Sequence, residues 1–223
     1  MKILGSILCA SLLALALSSC GTVYSPTLQL PYSPLQKDDG VLTAAGSNLP
    51  SPGSVGVGFS HSGEGSVRYG FSDRVTLQGK VWSDLSLFSN SGFNGGLSLG
   101  GMYLLTPHDA EVPIAFVPTG SMLIKGNSIS AMGLIVQTAA WFPTFWILRP
   151  YGAVGFGILA NSFKDGDWGY GAISNVGLSA KLSESFYLNA EFYLAGHKYL
   201  KDPNTYYIYG APSLSISWKF NNN

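Results

Sequence analysis

The sequence predicts an all-β chain that closes into an antiparallel transmembrane β-barrel of about ten strands, with eight or twelve as the neighbouring counts. Three observations lead there. Only 11% of the residues are charged, against roughly 25% in an average soluble domain, which is too little to coat a water-soluble globule of this size. The 28 glycines and 13% aromatics are spread through alternating runs, and beyond the N-terminus no apolar run reaches the roughly 20 residues of a membrane helix. The third observation is the stretch Val67–Trp82, where two alternating runs flank Ser72-Asp73-Arg74. Val75, Leu77, Gly79 and Val81 point one way, and Thr76, Gln78, Lys80 and Trp82 the other. That period of two is a strand with one apolar face.

The first residues form an export leader: Lys2, an apolar run from Ile3 to Leu17, then Leu17-Ser18-Ser19-Cys20-Gly21. This resembles the lipobox of bacterial lipoproteins, in which small residues precede a cysteine that receives lipid and becomes the mature N-terminus. The resemblance implies a signal peptide over 1–19, acyl chains on Cys20 and loss of Cys9 with the leader, leaving no thiol for a disulfide or metal. Gly21 in place of Asp resembles the outer-membrane sorting pattern. An ordinary signal peptide that happens to contain a cysteine is the alternative.

From Thr22 to Gly53 the chain is rich in Pro, Ser, Gly and Asn, with Pro26, Pro31, Pro34, Pro50 and Pro52 interrupting regular structure. Residues 20–53 are therefore expected to form a periplasmic tether, the alternative being a small plug tucked into the lumen. Residues 54–223 are assigned to the barrel. Strands are expected at Ser54–His61, Ser66–Phe71, Val75–Leu85, Gly95–Leu105, Val112–Ile124, Ser128–Phe142, Ile147–Ala160, Tyr170–Leu182, Phe186–Gly196 and Ile208–Phe220. Several approach the roughly 9–11 residues of a tilted membrane strand.

The connections alternate in kind. Ser72-Asp73-Arg74, Trp141–Trp146 and Ser183-Glu184-Ser185 are tight, whereas Ser86–Asn94, Asn161–Gly169 and His197–Tyr207 are longer and polar. Short turns on one side and long loops on the other is the outer-membrane arrangement. Thr106–Glu111 and Lys125-Gly126-Asn127 fit that rule less well. Aromatics are expected in two girdles: Phe71, Trp141, Phe142, Phe145, Trp146, Phe186, Trp218 and Phe220 at the periplasmic interface, and Phe163, Trp168, Tyr199, Tyr206, Tyr207 and Tyr209 at the outer one. The competing assignment is the core of a soluble β-sandwich.

In the last strand Leu214, Ile216, Trp218 and Phe220 alternate with Ser213, Ser215, Ser217 and Lys219. It resembles the C-terminal assembly signal of outer-membrane barrels, except that three asparagines follow Phe220. The run Arg68–Arg74, with Pro50–Gly53 ahead of it, resembles an opening hairpin of uncharacterised outer-membrane barrel proteins. These resemblances imply insertion into the bacterial outer membrane by its assembly machinery, with membrane lipid as partner.

If the apolar positions face lipid, the lumen is lined by Arg68, Gln78, Lys80, Gln137, Lys181, Glu191 and Lys219, together with Asn175, Tyr187, Asn189 and Tyr193. Four basic groups against one acidic one favour anions if water passes. Pairing of Arg68 and Lys80 with Glu191 as an internal brace is favoured over a functional lumen, because small barrels are often filled by their own side chains. The expected role is structural, surface-interacting or narrowly permeating, with no cofactor, no metal and no identified small-molecule ligand. A formal net charge of zero gives no nucleic-acid footprint.

Catalytic motifs are poorly supported. Gly96-Leu97-Ser98-Leu99-Gly100 has the spacing of a hydrolase nucleophile elbow but continues a strand alternation. Gly155–Ala160 spells G-x-G-x-x-A with no helix to follow. An enzyme at the external rim would have to use His61, Ser62, Asp165, Asp167 and His197; His61-Ser62 lacks the His-x-Ser spacing of lipid A deacylases, and Asp165-Gly166-Asp167 lacks the Asp-x-His partner of outer-membrane proteases. His108 belongs to the other side. No catalytic residue is assigned.

Overall fold

The structure, a computed structural model, describes residues 27–50, 59–84, 94–161, 167–201 and 206–221. Ten strands follow one another: β1 (Asp39–Pro50), β2 (Phe59–Gly70), β3 (Val75–Asp84), β4 (Asn94–Leu104), β5 (Ile114–Lys125), β6 (Ser128–Trp141), β7 (Leu148–Asn161), β8 (Asp167–Lys181), β9 (Phe186–Tyr199) and β10 (Tyr206–Asn221). Each pairs antiparallel with its neighbours in sequence, and β1 closes on β10 with Asp39 opposite Asn221 and Thr43 opposite Ser217. Closure removes both sheet edges, so every strand has a hydrogen-bonded partner on each side.

The pleat sorts the chain as the alternation predicted. On β10, Ser213, Ser215 and Ser217 are buried inside the barrel, while Leu214, Ile216 and Trp218 are 63, 49 and 46% exposed on its outer surface. Leu77, Val81, Leu99, Val154 and Val176 continue that apolar surface around the barrel. These side chains do not meet in a dry interior, so the sandwich alternative is excluded. The two enzyme-like glycine patterns lie inside β4 and β7, as strand residues.

Turn chemistry explains the short connections. Ser72 Oγ accepts the Val75 amide at 3.1 Å and Ser183 Oγ accepts the Phe186 amide at 3.1 Å, so each serine closes its own tight turn. Gly126, at φ 59°, supplies the left-handed residue of the two-residue β5–β6 turn. The turns after β2, β4, β6 and β8 share one end of the barrel with the start of β1 and the end of β10.

Three expectations need correction. The segment 20–53 is not a tether throughout: Asp39–Pro50 is β1, and Thr27–Leu35 lies in the lumen. Its prolines end at Pro34 and resume at Pro50, leaving a run free of them long enough to pair. Strands expected at Ser54–His61 and Ser66–Phe71 are one strand, β2. There Ser62, Glu64 and Ser66 face inward, and outward Gly63 and Gly65 contribute no apolar signal. Trp141 and Tyr199 leave their girdles: Trp141 is fully buried in the lumen and Tyr199 packs against an inner apolar cluster. Phe71, Phe142, Phe145, Trp146, Phe186 and Trp218 do stand outward at the turn end, and Trp168 at the other. Phe220 lies against Trp218, with ring centroids 5.5 Å apart. Phe163 and the side chains of Tyr206, Tyr207 and Tyr209 fall outside the described residues.

Candidate functional site: a lumen filled by the chain's own N-terminal segment

The barrel interior is a packed core around an inserted segment. Thr27–Asp38 rises from the turn end of the barrel to mid-height. Its lower part is held by Asp38 N donating to Gly70 O (2.8 Å), His108 Nε2 against Pro34 O (2.7 Å), and Tyr32 stacked on Tyr187 with centroids 5.4 Å apart. Arg149 donates to Tyr32 O and Trp141 Nε1 donates to Pro31 O at 2.8 Å. Leu28 and Leu30 then enter an apolar cluster with Met102, Leu104, Val117, Trp141 and Tyr151. Burial of two leucines contributes about 3–6 kcal/mol toward seating the segment.

At mid-height the segment meets charge. Glu191, buried on β9, accepts the amides of Leu28 and Gln29 at 2.7 Å each, one on each carboxylate oxygen. Gln29 adopts φ 48°, which turns two successive N–H groups toward one anion, the geometry of a backbone nest. Tyr151 Oη (2.8 Å) and Asn175 Nδ2 (2.9 Å) complete the set, and Gln137 donates to Asn175 Oδ1 at 2.8 Å. Gly177 is required here: a Cβ at that position would lie 2.1 Å from the Tyr151 ring.

The other wall supplies cations for the segment's carbonyls. Arg68 donates to Leu28 O and, through Nε, to Gln78 Oε1 at 3.3 Å; Lys80 donates to Thr27 O. Lys80 also lies 3.5 Å from Glu64, whose Oε2 accepts Thr27 Oγ1 at 2.5 Å. Gln78 reaches Thr119 at 3.0 Å. The segment is thus held by a carboxylate on its amides and by cations on its carbonyls. Beside it lies a small cavity of about 30 Å³ among Thr27, Leu28, Arg68, Lys80 and Gln137.

The structure brings Arg68, Gln78, Lys80, Gln137 and Glu191 to this one mid-lumen site. It places the other two of the seven residues at the turn end: Lys219 pairs with Asp39 at 2.8 Å, and Lys181 pairs with Glu184 at 2.8 Å. The brace between Arg68, Lys80 and Glu191 is not direct, because the inserted segment stands between them. The expected excess of four basic groups over one acidic group shrinks, since the inward carboxylates Asp39 and Glu64 join Glu191 against those cations. Glu64 was missed because it sits in a glycine- and serine-rich run with no alternation of apolar residues to assign its face. Asp39 was missed because its strand was read as linker.

The rim residues form no catalytic arrangement among those described. Ser62 Oγ is 2.6 Å from Ser47 Oγ, and His197 is buried on the inner face against Tyr199. The side chain of His61, and Asp165 altogether, lie outside the described residues. No group of His, Cys, Asp or Glu among the described residues could hold a metal ion.

No protein-family model matches the chain. No curated protein matches it in sequence. Among solved structures it is similar to the N-terminal β-barrel domain of Pseudomonas aeruginosa OprF, at 12% identity over 83% of this chain and 100% of that one, with a TM-score of 0.38. It is also similar to a bacterial polysaccharide outer membrane secretin (8% identity, 85% of this chain and 100% of that one, TM-score 0.45) and to the outer membrane protein OprG of Pseudomonas aeruginosa (12%, 83% and 97%, TM-score 0.33).

Proposed function

We propose that this is a lipid-embedded barrel of the bacterial outer membrane, acylated on Cys20, whose lumen is closed by its own N-terminal segment and which serves a structural or surface-interaction role. The supporting observation for the membrane is the outer surface. Water would have to cover Leu77, Val81, Leu99, Val154, Val176, Leu214 and Ile216 on a closed barrel, with no charged residue among them; hydrocarbon accepts the same surface without cost. The tight turns after β2 and β8 support a periplasmic position for that end. Cys20 lies outside the described residues, so its acylation rests on the lipobox alone.

The observation that carries the closed lumen is the seat of Leu28 and Gln29 on Glu191, with Leu28 and Leu30 buried in the core below. The inserted segment fills the lumen at mid-height, so ion flow is expected to require its removal. Planar-bilayer recording tests this directly. The intact protein is expected to show no steady conductance, and a variant lacking 27–36 is expected to conduct. Steady conductance by the intact protein that Lys80→Glu alters in selectivity would overturn the closed reading. Unheated and boiled samples on semi-native electrophoresis test the barrel itself: a folded membrane barrel shifts in mobility on boiling.

A further inference from the structure

We infer that the lumen is a binding site for an extended peptide: Thr27–Asp38 occupies it as a built-in ligand, and another polypeptide segment with apolar residues at alternate positions takes its place when that segment is withdrawn. The inference rests on the closed-lumen reading above and adds the class of ligand to it. Its basis is what the barrel wall takes hold of. Glu191 accepts the amides of Leu28 and Gln29 at 2.7 Å each, while Arg68 donates to Leu28 O and Lys80 to Thr27 O. Lower down, Trp141 Nε1 donates to Pro31 O at 2.8 Å, Arg149 to Tyr32 O at 3.4 Å and His108 Nε2 to Pro34 O at 2.7 Å. The partner in each case is a main-chain atom, which almost any sequence offers.

The segment's side chains are read far more loosely. Leu28 and Leu30 enter the apolar cluster of the wall, and such a cluster accepts apolar residues of similar volume. Tyr32 contributes its ring, stacked on Tyr187. From Thr27 to Pro34, the polar side-chain contacts among the described residues gather at Glu64 and Lys80. Thr27 Oγ1 meets them at 2.5 and 3.1 Å, and Gln29 Nε2 reaches Glu64 Oε2 at 3.4 Å. Gln29 Oε1 has no partner. The same residue holds φ 48°, a conformation that glycine adopts without steric cost, so nothing at this position selects glutamine.

Main-chain hydrogen bonds for affinity and pockets for alternate side chains are the means by which extended peptides are recognised. The wall supplies both signs for this: a carboxylate for two N–H groups and cations for the carbonyls beside them. A helical ligand does not fit, because a helix bonds its interior N–H and C=O groups to one another. Tethering gives the built-in segment an effective concentration on the order of millimolar. A peptide from outside therefore competes at comparable concentration, or once the segment's own hold is weakened.

The test uses the full chain with Leu28→Asp and Leu30→Asp, which unseats the segment from the apolar cluster and leaves the wall unaltered. In planar bilayers this variant is expected to conduct, and a synthetic peptide of the Thr27–Asp38 sequence to block it. A second peptide carrying Gln29→Gly, Tyr32→Phe and Ser33→Ala is expected to block at a concentration within about threefold of the first. A third, N-methylated at Leu28 and Gln29, loses the two N–H groups that Glu191 accepts and is expected to need about tenfold more or higher. Block by the first peptide alone, equal block by the N-methylated peptide, or no block by any of them overturns the inference and leaves the closed lumen standing. A variant that keeps the boiling-induced shift of a folded barrel yet does not conduct overturns the closed-lumen reading, and the inference with it. Should the double variant not reach the folded barrel, Leu30→Cys in the seated chain, with Cys9 and Cys20 replaced by serine, gives a second readout. Its maleimide labelling is expected to rise when the first or second peptide is added at millimolar concentration, on the order of the tethered segment's own, and an unchanged rate overturns the inference.

Discussion

Replacing Glu191 by glutamine tests the mid-lumen clamp with almost no change of shape. Oε1 accepts from Leu28 N and Asn175 Nδ2, and Oε2 from Gln29 N and Tyr151 Oη. An amide can keep only one of these oxygens. With its NH₂ at the Oε2 position, Tyr151 can rotate its hydroxyl to accept, but the Gln29 amide then faces a donor and loses its acceptor. An orphaned buried donor costs about 1–3 kcal/mol, and the two surviving bonds fall from charged to neutral strength, another ~1–3 kcal/mol. Removing a buried charge offsets part of this. The net loss is about 2 kcal/mol, or roughly a 30-fold larger fraction of unseated segment. Leu30, fully buried when the segment is seated, provides the assay. In a chain with Cys9 and Cys20 replaced by serine, Leu30→Cys is expected to react with maleimide about 30-fold faster when Glu191→Gln is added. Rates within threefold of each other would refute the account of the clamp.

The remaining predictions concern the wall around that site. Gly177→Val drives a side chain into the Tyr151 ring, which a Cβ would already approach to 2.1 Å, and is expected to raise Leu30→Cys labelling as Glu191→Gln does. Val81→Lys places a charge on the outer apolar surface, where Val81 is 61% exposed; a loss of about 2–4 kcal/mol is expected in urea unfolding from lipid vesicles if the position is near mid-bilayer, and an unchanged midpoint would argue against lipid contact there. Lys219→Met leaves the Asp39 carboxylate with the Gln36 amide at 3.0 Å but without its cation at 2.8 Å; a lower boiling temperature for the electrophoretic shift is expected. Glu184 lies in the exposed β8–β9 turn, where the hydrogen bond from Lys181 holds its carboxyl below the usual glutamate range. A depressed carboxyl contributes stability above its unfolded pKa and loses it as pH falls through the folded one. Lys181→Met is therefore expected to move the Glu184 titration upward by NMR, and an unmoved titration would show the pairing to be absent in solution.

The fold class and the inside-out surface were legible in the sequence because a β-strand's side chains alternate by local geometry alone. Val75–Trp82 and Ser213–Phe220 each carry one apolar and one polar face, and no tertiary information is needed to see it. The lumen residues Arg68, Gln78, Lys80, Gln137 and Glu191 followed from the same parity. Where outward positions are glycine, as at Gly63 and Gly65, or the strand is built of small residues, as at Ala44–Ser47, parity has no amplitude. There β1 and the middle of β2 escaped detection, and with them Asp39 and Glu64.

Tertiary structure alone decided what fills the barrel. Thr27–Asp38 alternates only over Thr27-Leu28-Gln29-Leu30 before Pro31 and Pro34 interrupt it; its conformation is set by partners up to 163 residues away, such as Glu191 for the Leu28 amide. The pairing of those partners depends on closure of β1 with β10, a contact between the two ends of the described chain. Local sequence determines which way each strand residue points, since that is a property of one backbone. Which segment comes to occupy the space those residues enclose depends on the whole circle of strands, and is settled only when the last strand meets the first.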